Sequence, residues 1–228
     1  AKISEMLPWL LYDEAFAQAA IYDFSISVTE MFRDPDFYRS LRKNVVPYLK
    51  TYPFIKVWHA GCATGEEVYS LAIVLQEEGL YERATIFATD FNEMVLEKAR
   101  EGIYPLKDIR QYTLNYQKAG GERPFADYYH AQYESAIMNQ SLKRNITFAS
   151  HNLVTDGVFG EMHLIFCRNV LIYFDRTLQN RVLKLFADSL THGSFLCLGS
   201  KETLSFSEVA DSFKAIDERA RIFQKRTR

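Results

Sequence analysis

Cysteine is scarce in this 228-residue chain, and its three thiols, Cys62, Cys167 and Cys197, lie far apart in strand-like apolar surroundings. An odd number without close pairing excludes a disulfide framework and points to a reducing compartment. No apolar run approaches the roughly 20 residues needed to cross a bilayer, and no signal peptide opens the chain. A soluble cytoplasmic protein without membrane insertion is the expectation. Charge of one sign is lacking too: the formal net charge is −2, which removes the general basic footprint of a nucleic-acid binder. The basic end Lys225-Arg226-Thr227-Arg228 reads first as a solvated tail, with a local basic strip as the alternative. His59, His130, His151, His163 and His192 keep no ligand spacing with one another or with the cysteines, so no metal site is expected. Neither a Gly-x-Ser-x-Gly elbow nor a Gly-x-x-x-x-Gly-Lys loop occurs, which excludes hydrolase and P-loop readings.

What the chain does contain is ordinary globular material: 48% hydrophobic and 25% charged residues, with 17 Phe and 14 Tyr that favour packed sheets and helices. Its length suits one α/β domain, or one domain carrying an insertion. Residues 3 to about 23 have helical spacing, with Pro8 in the first turns or between two short helices. A second helix is expected over 37–49, with Asp34 as N-cap and Pro35 at its first position. Residues 55–60 form a β-rich run that enters a tight turn at Gly61; Val68, Leu71, Ala72 and Leu75 then mark one helical face, closed by Gly79. A strand over 84–89 ends at Asp90, and a helix over 93–101 stops at Gly102. This rhythm means βαβ units and a parallel sheet.

Between about residues 104 and 145 the rhythm breaks, in a polar, Tyr-rich stretch with a Gly120-Gly121 turn that is too long for a plain connection. It resumes with strands over 146–149, leading to Asn152, and 164–167, leading to Asn169. A helix over 176–190 capped by Asp175, a strand over 194–198 after a turn at Gly193, and a closing antiparallel hairpin over 213–216 and 221–224 complete the chain. The expected fold is a doubly wound, mostly parallel α/β sheet whose ligand site lies at the carboxyl ends of the strands. The expected domains are a helical segment, 1–24, a main domain, 25–103 with 146–228, and an inserted β-subdomain, 104–145.

Chemistry clusters where that rule puts a ligand. Gly61 and Gly65 would let a backbone approach a ligand closely, or would simply make a turn. Asp90, ending the second strand, suits ribose hydroxyls. Glu66 and Glu67 open the next helix, where their charge repels a pyrophosphate and suits a cationic ligand, although the helix dipole alone also favours acids there. The sulfonium and ammonium groups of S-adenosylmethionine fit this turn and NAD fits it poorly. Asn152 and Asn169 either cap turns or hydrogen-bond the adenine or amino-acid portion of a cofactor. Tyr173 is either a core residue or a neighbour of the reactive centre.

Five segments in order, Thr29-Glu30-Met31-Phe32-Arg33-Asp34, Trp58 to Ser70 around His59-Ala60-Gly61-Cys62-Ala63-Thr64-Gly65-Glu66-Glu67, Ala88-Thr89-Asp90, Asn152-Leu153 and Cys167-Arg168-Asn169-Val170-Leu171-Ile172-Tyr173-Phe174, resemble the signature series of the CheR chemotaxis methyltransferases. The resemblance implies a Rossmann-like class I methyltransferase fold. It implies transfer of a methyl group from S-adenosylmethionine, leaving S-adenosylhomocysteine, to glutamate side chains in the cytoplasmic domain of a chemoreceptor or related signalling protein. It implies cofactor contacts at Thr29, Arg33, Glu67, Asp90, Asn152, Leu153, Arg168 and Asn169, with Gly61 in the turn, and it places Tyr173 beside the transferred methyl. It also matches residues 104–145 to the family's small β-subdomain, which in some members docks a receptor's C-terminal peptide. Three departures stand out. Ser27 replaces the usual Asn and has a shorter reach; Val68 replaces the usual Pro; and only about 24 non-basic residues precede the first segment, where family members carry a longer helical domain with a basic face. A trimmed N-terminal domain, or a different mode of acceptor recognition, is therefore expected.

A glutamate carboxylate, with a pKa near about 4.3, is already an anionic nucleophile at neutral pH, so no general base is required. Catalysis would rest on in-line positioning and removal of water. Arg33 is the candidate to orient the incoming carboxylate through paired hydrogen bonds, with a surface salt bridge as its bland alternative. Two other functions compete: a non-catalytic S-adenosylmethionine-binding sensor or scaffold in a signalling pathway, and methylation of a small molecule, which would need a closed apolar pocket.

Overall fold

The structure is a computed structural model and describes residues 3–13, 16 and 29–227. Helix α1, Ile3–Tyr12, carries Pro8 inside it, and most of the remaining residues up to 23 lie outside the described ones. The single helix expected over 37–49 is two, α2 (Pro35–Asn44) and α3 (Val46–Leu49). Proline at position 47 has no N–H to continue the ladder, so the chain breaks and restarts at Val45. Pro35 sits in the first turn of α2 as expected, but Asp34 makes no side-chain cap bond; it lies in the left-handed region at φ 56°, and its carboxylate is used elsewhere.

Strands β1 (Ile55–Ala60), β2 (Ala84–Asp90) and helices α4 (Glu66–Glu77) and α5 (Glu93–Glu101) form the first βαβ unit. Asn92 caps α5 by accepting from Met94 N–H at 2.9 Å, and Gly102 ends it at φ 57°. Next come β3 (Ile103–Pro105), α6 (Leu106–Lys118), β4 (Tyr129–Gln132), β5 (Ser135–Met138) and α7 (Gln140–Lys143). The main sheet resumes with β6 (Ile146–Ser150) and β7 (Met162–Cys167), and α8 (Arg176–Ser189) follows, capped by Asp175 accepting from Leu178 N–H at 2.9 Å. Strands β8 (Leu190–Leu198), β9 (Phe213–Asp217) and β10 (Ile222–Lys225) close it.

The seven-stranded sheet has the order β6-β2-β1-β7-β8-β10-β9. Its first five strands are parallel, and β10 and β9 run antiparallel at the edge. A separate antiparallel sheet has the order β3-β5-β4. This is the doubly wound α/β fold with a closing hairpin. Gly193 is not a turn before the last parallel strand; it lies inside β8, at φ 79°, where the pairing with β7 shifts register.

Alternation along the strands divides the core in two. Ile55, Val57, Leu164, Phe166, Phe195 and Cys197 face one cluster, while Trp58, Ala60, Ile165, Cys167, Leu196 and Leu198 face the other. The Tyr-rich stretch is far less polar in space than in sequence. Tyr104, Tyr112, Tyr116 and Tyr128 are buried in the first cluster, and Tyr116 meets Phe32 edge-on at 5.1 Å between centroids. Phenol hydroxyls of Tyr116 and Tyr128 both donate to Glu77 on α4. The C-terminal cations are also tied down: Lys225 Nζ donates to the Ala187 and Leu190 carbonyls at the end of α8, and Arg226 Nε to that of Phe213. They satisfy orphan carbonyls, which a freely solvated tail would leave open. Among the described residues no helix is long and apolar enough to cross a membrane.

Candidate functional site

From β1 the chain winds outward to β2 and β6, then returns to β7 on the other side of β1. The carboxyl ends of β1 and β7 are therefore the switch point at which an open α/β sheet leaves a crevice. The turn after β1 is tied to the end of β2: Gly61 and Cys62 N–H both donate to the Thr89 carbonyl, at 2.8 and 2.9 Å. Gly61 has φ +80°, and a Cβ there would stand 2.6 Å from a Val170 methyl; at Gly65, φ +91°, it would stand 2.9 Å from Ala99 Cβ. Both glycines thus answer first to protein neighbours. The contact at Gly61 interlocks the β1 turn with the loop after β7.

Asp90 is buried, and its two oxygens accept from Ala63 N–H at 3.0 Å and Asn92 N–H at 3.1 Å. Burial pushes its carboxyl above the usual range, opposed by these N–H groups. Each oxygen keeps a second lone pair for a ligand hydroxyl. The two helix-opening glutamates have parted company. Glu66 points inward, accepts from Thr64 Oγ1 at 2.7 Å, and is raised by burial. Glu67 stays one-fifth exposed and faces Arg168. Burial raises its carboxyl as well, but Arg168 and His59 outweigh that and hold it below the usual range.

Arg168 is the hub of the site. Its side chain is 1% exposed, with Nη1 2.7 Å from Glu67 Oε2 and Nη2 2.7 Å from Asp34 Oδ2. The guanidinium carbon lies 4.1 Å from the centre of the Phe37 ring, and Nη1 is 3.5 Å from the Arg33 carbonyl. Two carboxylates thus share one guanidinium. His59 is fully buried, stacked on Phe166 at 4.6 Å, with Nδ1 3.5 Å from Glu67 Oε1.

The segment bearing Arg33 has two non-glycine residues at positive φ, Phe32 (54°) and Asp34 (56°). Such conformations cost of order 1 kcal/mol each and persist where the surroundings impose them. Here Phe32 N–H donates to Ser70 Oγ at 2.9 Å, and Asn115 Nδ2 donates to the Met31 carbonyl at 3.0 Å. Asn115 belongs to α6, so the Tyr-rich stretch helps fix the Arg33 segment. Thr29 and Arg33 are partly buried, and Ser27 lies outside the described residues.

Past β7, Asn169 takes φ +61° and leads through a 3-10 turn, Leu171–Tyr173. Tyr173 is 60% exposed, so it is no core residue. Asn152 Oδ1 accepts from Val154 N–H at 2.9 Å, an Asx turn, while its own N–H donates to Asp156. It follows His151, whose N–H donates to the Asp90 carbonyl at 3.1 Å, and Leu153 is buried in the second core cluster. Glu67, Arg168 and the Arg33 carbonyl are thus brought together, Asp90 sits one strand over from β1 and Asn152 two, and Asn169 and Tyr173 follow β7 on the other side. Sequence reasoning passed over Asp34 as a site residue and missed Ser70, Asn115 and Glu202. For Glu202 the one available signal was an acid just past Gly199 at the end of an apolar strand.

A model of the CheR methyltransferase SAM-binding domain matches residues 27–222. The chain belongs to the CheR methyltransferase family. Its cofactor is therefore S-adenosylmethionine. Among its relatives is Cher3 of Pseudomonas putida, provisionally named a methyltransferase, which is 52% identical over 223 residues, 98% of this chain and 82% of that one. The chemotaxis protein methyltransferase of Salmonella typhimurium is 34% identical over 192 residues, 82% of this chain and 64% of that one. An uncharacterized 104.1 kDa protein of Rhodobacter capsulatus is 32% identical over 235 residues, which cover 97% of this chain and only 23% of that protein.

Proposed function

We propose that this CheR-family chain transfers a methyl group from S-adenosylmethionine to glutamate side-chain carboxylates in the cytoplasmic domain of a chemoreceptor-type signalling protein, giving glutamate methyl esters. When bound, the cofactor supplies a sulfonium-activated methyl group. The donor set suits it: Asp90 for the ribose hydroxyls, Glu67 for a cationic group, and Thr29, Asn152, Leu153 and Asn169 for the adenine and amino-acid portions. The paired carboxylates of Glu67 and Asp34 suit a cationic group better than a pyrophosphate. Arg168 has its terminal nitrogens occupied by those two carboxylates, so its part is to hold Glu67 in place.

The observation that carries the carboxylate acceptor is the seclusion of the imidazole of His59 and the thiols of Cys62 and Cys167. His59 is fully buried behind Glu67, and burial pushes the Cys62 and Cys167 thiols well up. An alcohol or amine acceptor needs such a base within reach, whereas a carboxylate does not. Arg33 orients that carboxylate, and Tyr173, exposed at the rim, lies beside the transferred methyl. The test is transfer of labelled methyl from S-adenosylmethionine to a chemoreceptor cytoplasmic fragment, followed by release of methanol in mild base. Base-labile label on glutamates is the expected result, and Arg33→Ala should lose most of it while keeping the melting temperature. Label on a small molecule, base-stable label, or no transfer despite cofactor binding would overturn the proposal; the last is the behaviour of a sensor module.

A further inference from the structure

Glu202 is 4% exposed, and among the described residues its partners are four backbone N–H groups. Oε1 accepts from Val170 and Leu171, each at 2.8 Å; Oε2 accepts from Asn169 at 3.1 Å and from Gly199. One carboxylate thus stitches the loop after β7 to the end of β8. Gly199 completes the clasp, because a Cβ there would stand 2.7 Å from Asn169 N and 2.8 Å from Glu202 Oε2. From the other side, Gln179 Nε2 donates to the Leu171 and Phe174 carbonyls at 2.9 and 3.0 Å. Val170, inside the clasp, is the residue against which Gly61 packs. The backbone N–H groups of Asn169, Val170 and Leu171 and the carbonyls of Leu171 and Phe174 are thus held from two sides.

We propose that Glu202 is a positioning residue for the cofactor: by clasping the backbone of Asn169–Leu171 it fixes the Asn169 side chain and the β1-turn contact at Val170 in the geometry that S-adenosylmethionine binds. This rests on the reading that Asn169 faces the cofactor. A hydrogen bond to a charged acceptor is worth more than a neutral one, and Glu202→Gln turns part of the clasp from acceptor to donor. The expected loss is about tenfold or more in affinity. Glu202→Asp keeps the charge but loses reach, and should fall between.

The experiment is calorimetric titration with S-adenosylhomocysteine, well below the melting transition, of wild type, Glu202→Gln, Glu202→Asp, Asn169→Ala and the core variant Val46→Ala. Val46→Ala should lower the melting temperature yet bind like wild type, whereas Glu202→Gln and Asn169→Ala should both bind weakly. If Glu202→Gln melts lower but binds like wild type while Asn169→Ala is impaired, Glu202 is merely structural and the proposal is overturned. Should Asn169→Ala also bind normally, the placement of Asn169 falls, and the proposal with it. A wild-type chain that does not bind would overturn the cofactor reading itself. If Glu202→Gln does not fold, Gly199→Ala disturbs the same clasp, because its Cβ meets both Asn169 N and Glu202 Oε2, and is read by the same criteria.

Discussion

Replacing Arg168 by Met removes the charge from the centre of the site while keeping an unbranched side chain against Phe37. Its guanidinium is 1% exposed and pairs with Glu67, 20% exposed, and Asp34, 43% exposed. The two pairs are not equal. Asp34 is near enough to solvent that its pair is worth about 0–1 kcal/mol. Glu67 is mostly enclosed, and stripping a buried carboxylate of its partner costs about 3–5 kcal/mol, because the desolvation already incurred is no longer offset. Partial exposure lets Glu67 rehydrate or protonate, so the lower end, about 3 kcal/mol, is expected. For a chain of this size that is a fall in melting temperature of about 6–12 °C.

Urea unfolding of Arg168→Met, Glu67→Gln and the double variant measures this directly. Because Glu67 is the source of the cost, the double variant should recover about 2 kcal/mol of the Arg168→Met loss. The pH dependence has a defined sign. In the wild type Glu67 is held below its usual range, so its contribution is present above the unfolded pKa and is lost as pH falls through the folded one. Without Arg168 burial is opposed by His59 alone, so the folded pKa rises; once it lies above the unfolded value, the variant loses stability as pH rises through it. The gap between wild type and Arg168→Met should therefore narrow as pH falls from 7 toward about 4 to 5. A loss under about 1 kcal/mol, no rescue by Glu67→Gln, or a gap that widens in acid would show that Arg168 does not hold Glu67.

Asp90→Asn should weaken S-adenosylhomocysteine binding by about tenfold or more, since the amide offers one acceptor oxygen instead of two; unchanged affinity by calorimetry would reject the ribose role. Gly61→Ala should destabilise and weaken binding, because φ is +80° and the new Cβ meets Val170 at 2.6 Å. Adding Val170→Ala should restore part of the stability but not the strain, and no recovery would mean the contact does not fix the turn. Tyr38, Tyr69, Tyr104, Tyr112 and Tyr128 are raised by burial, as is Tyr116, to about 12. A raised phenol gives stability that is whole below the unfolded pKa near about 10 and is lost as pH rises toward the folded value. Alkaline titration followed by phenolate absorbance should show these groups ionising with unfolding, and ionisation of the whole set in the native state would contradict their burial.

The main sheet was legible because each strand is a short apolar run ended by a turn residue, and each helix shows one apolar face. Asp175 and Gly102 marked their helix ends correctly because a cap is a local event, settled by a side chain and its own backbone. Asp34 has the same local signature and does take the N-cap position of α2, but its side chain makes no cap bond. Its carboxylate finds Arg168, 134 residues away in sequence, and nothing in the neighbouring residues could announce that. The Tyr-rich stretch looked polar because hydrophobicity was counted by residue type. A phenol buries its ring and needs one acceptor for its hydroxyl, and Glu77 on α4 supplies it for both Tyr116 and Tyr128.

The same distinction explains how the site itself was read. In sequence, Glu66 and Glu67 look like one acidic pair in the β1 turn. In space Glu66 is a buried hydrogen-bond acceptor for Thr64, and Glu67 is largely matched by Arg168, so neither alone makes the turn anionic. Asp34 adds a second carboxylate on Arg168, from a segment held in two left-handed conformations at Phe32 and Asp34. The paired positive-φ residues turn Asp34 onto Arg168. Ser70 from α4 and Asn115 from α6 hold that bend. The electrostatics of the proposed cofactor site thus depend on a contact made by the Tyr-rich stretch, and removing the Asn115 amide should disturb cofactor binding before it disturbs the sheet.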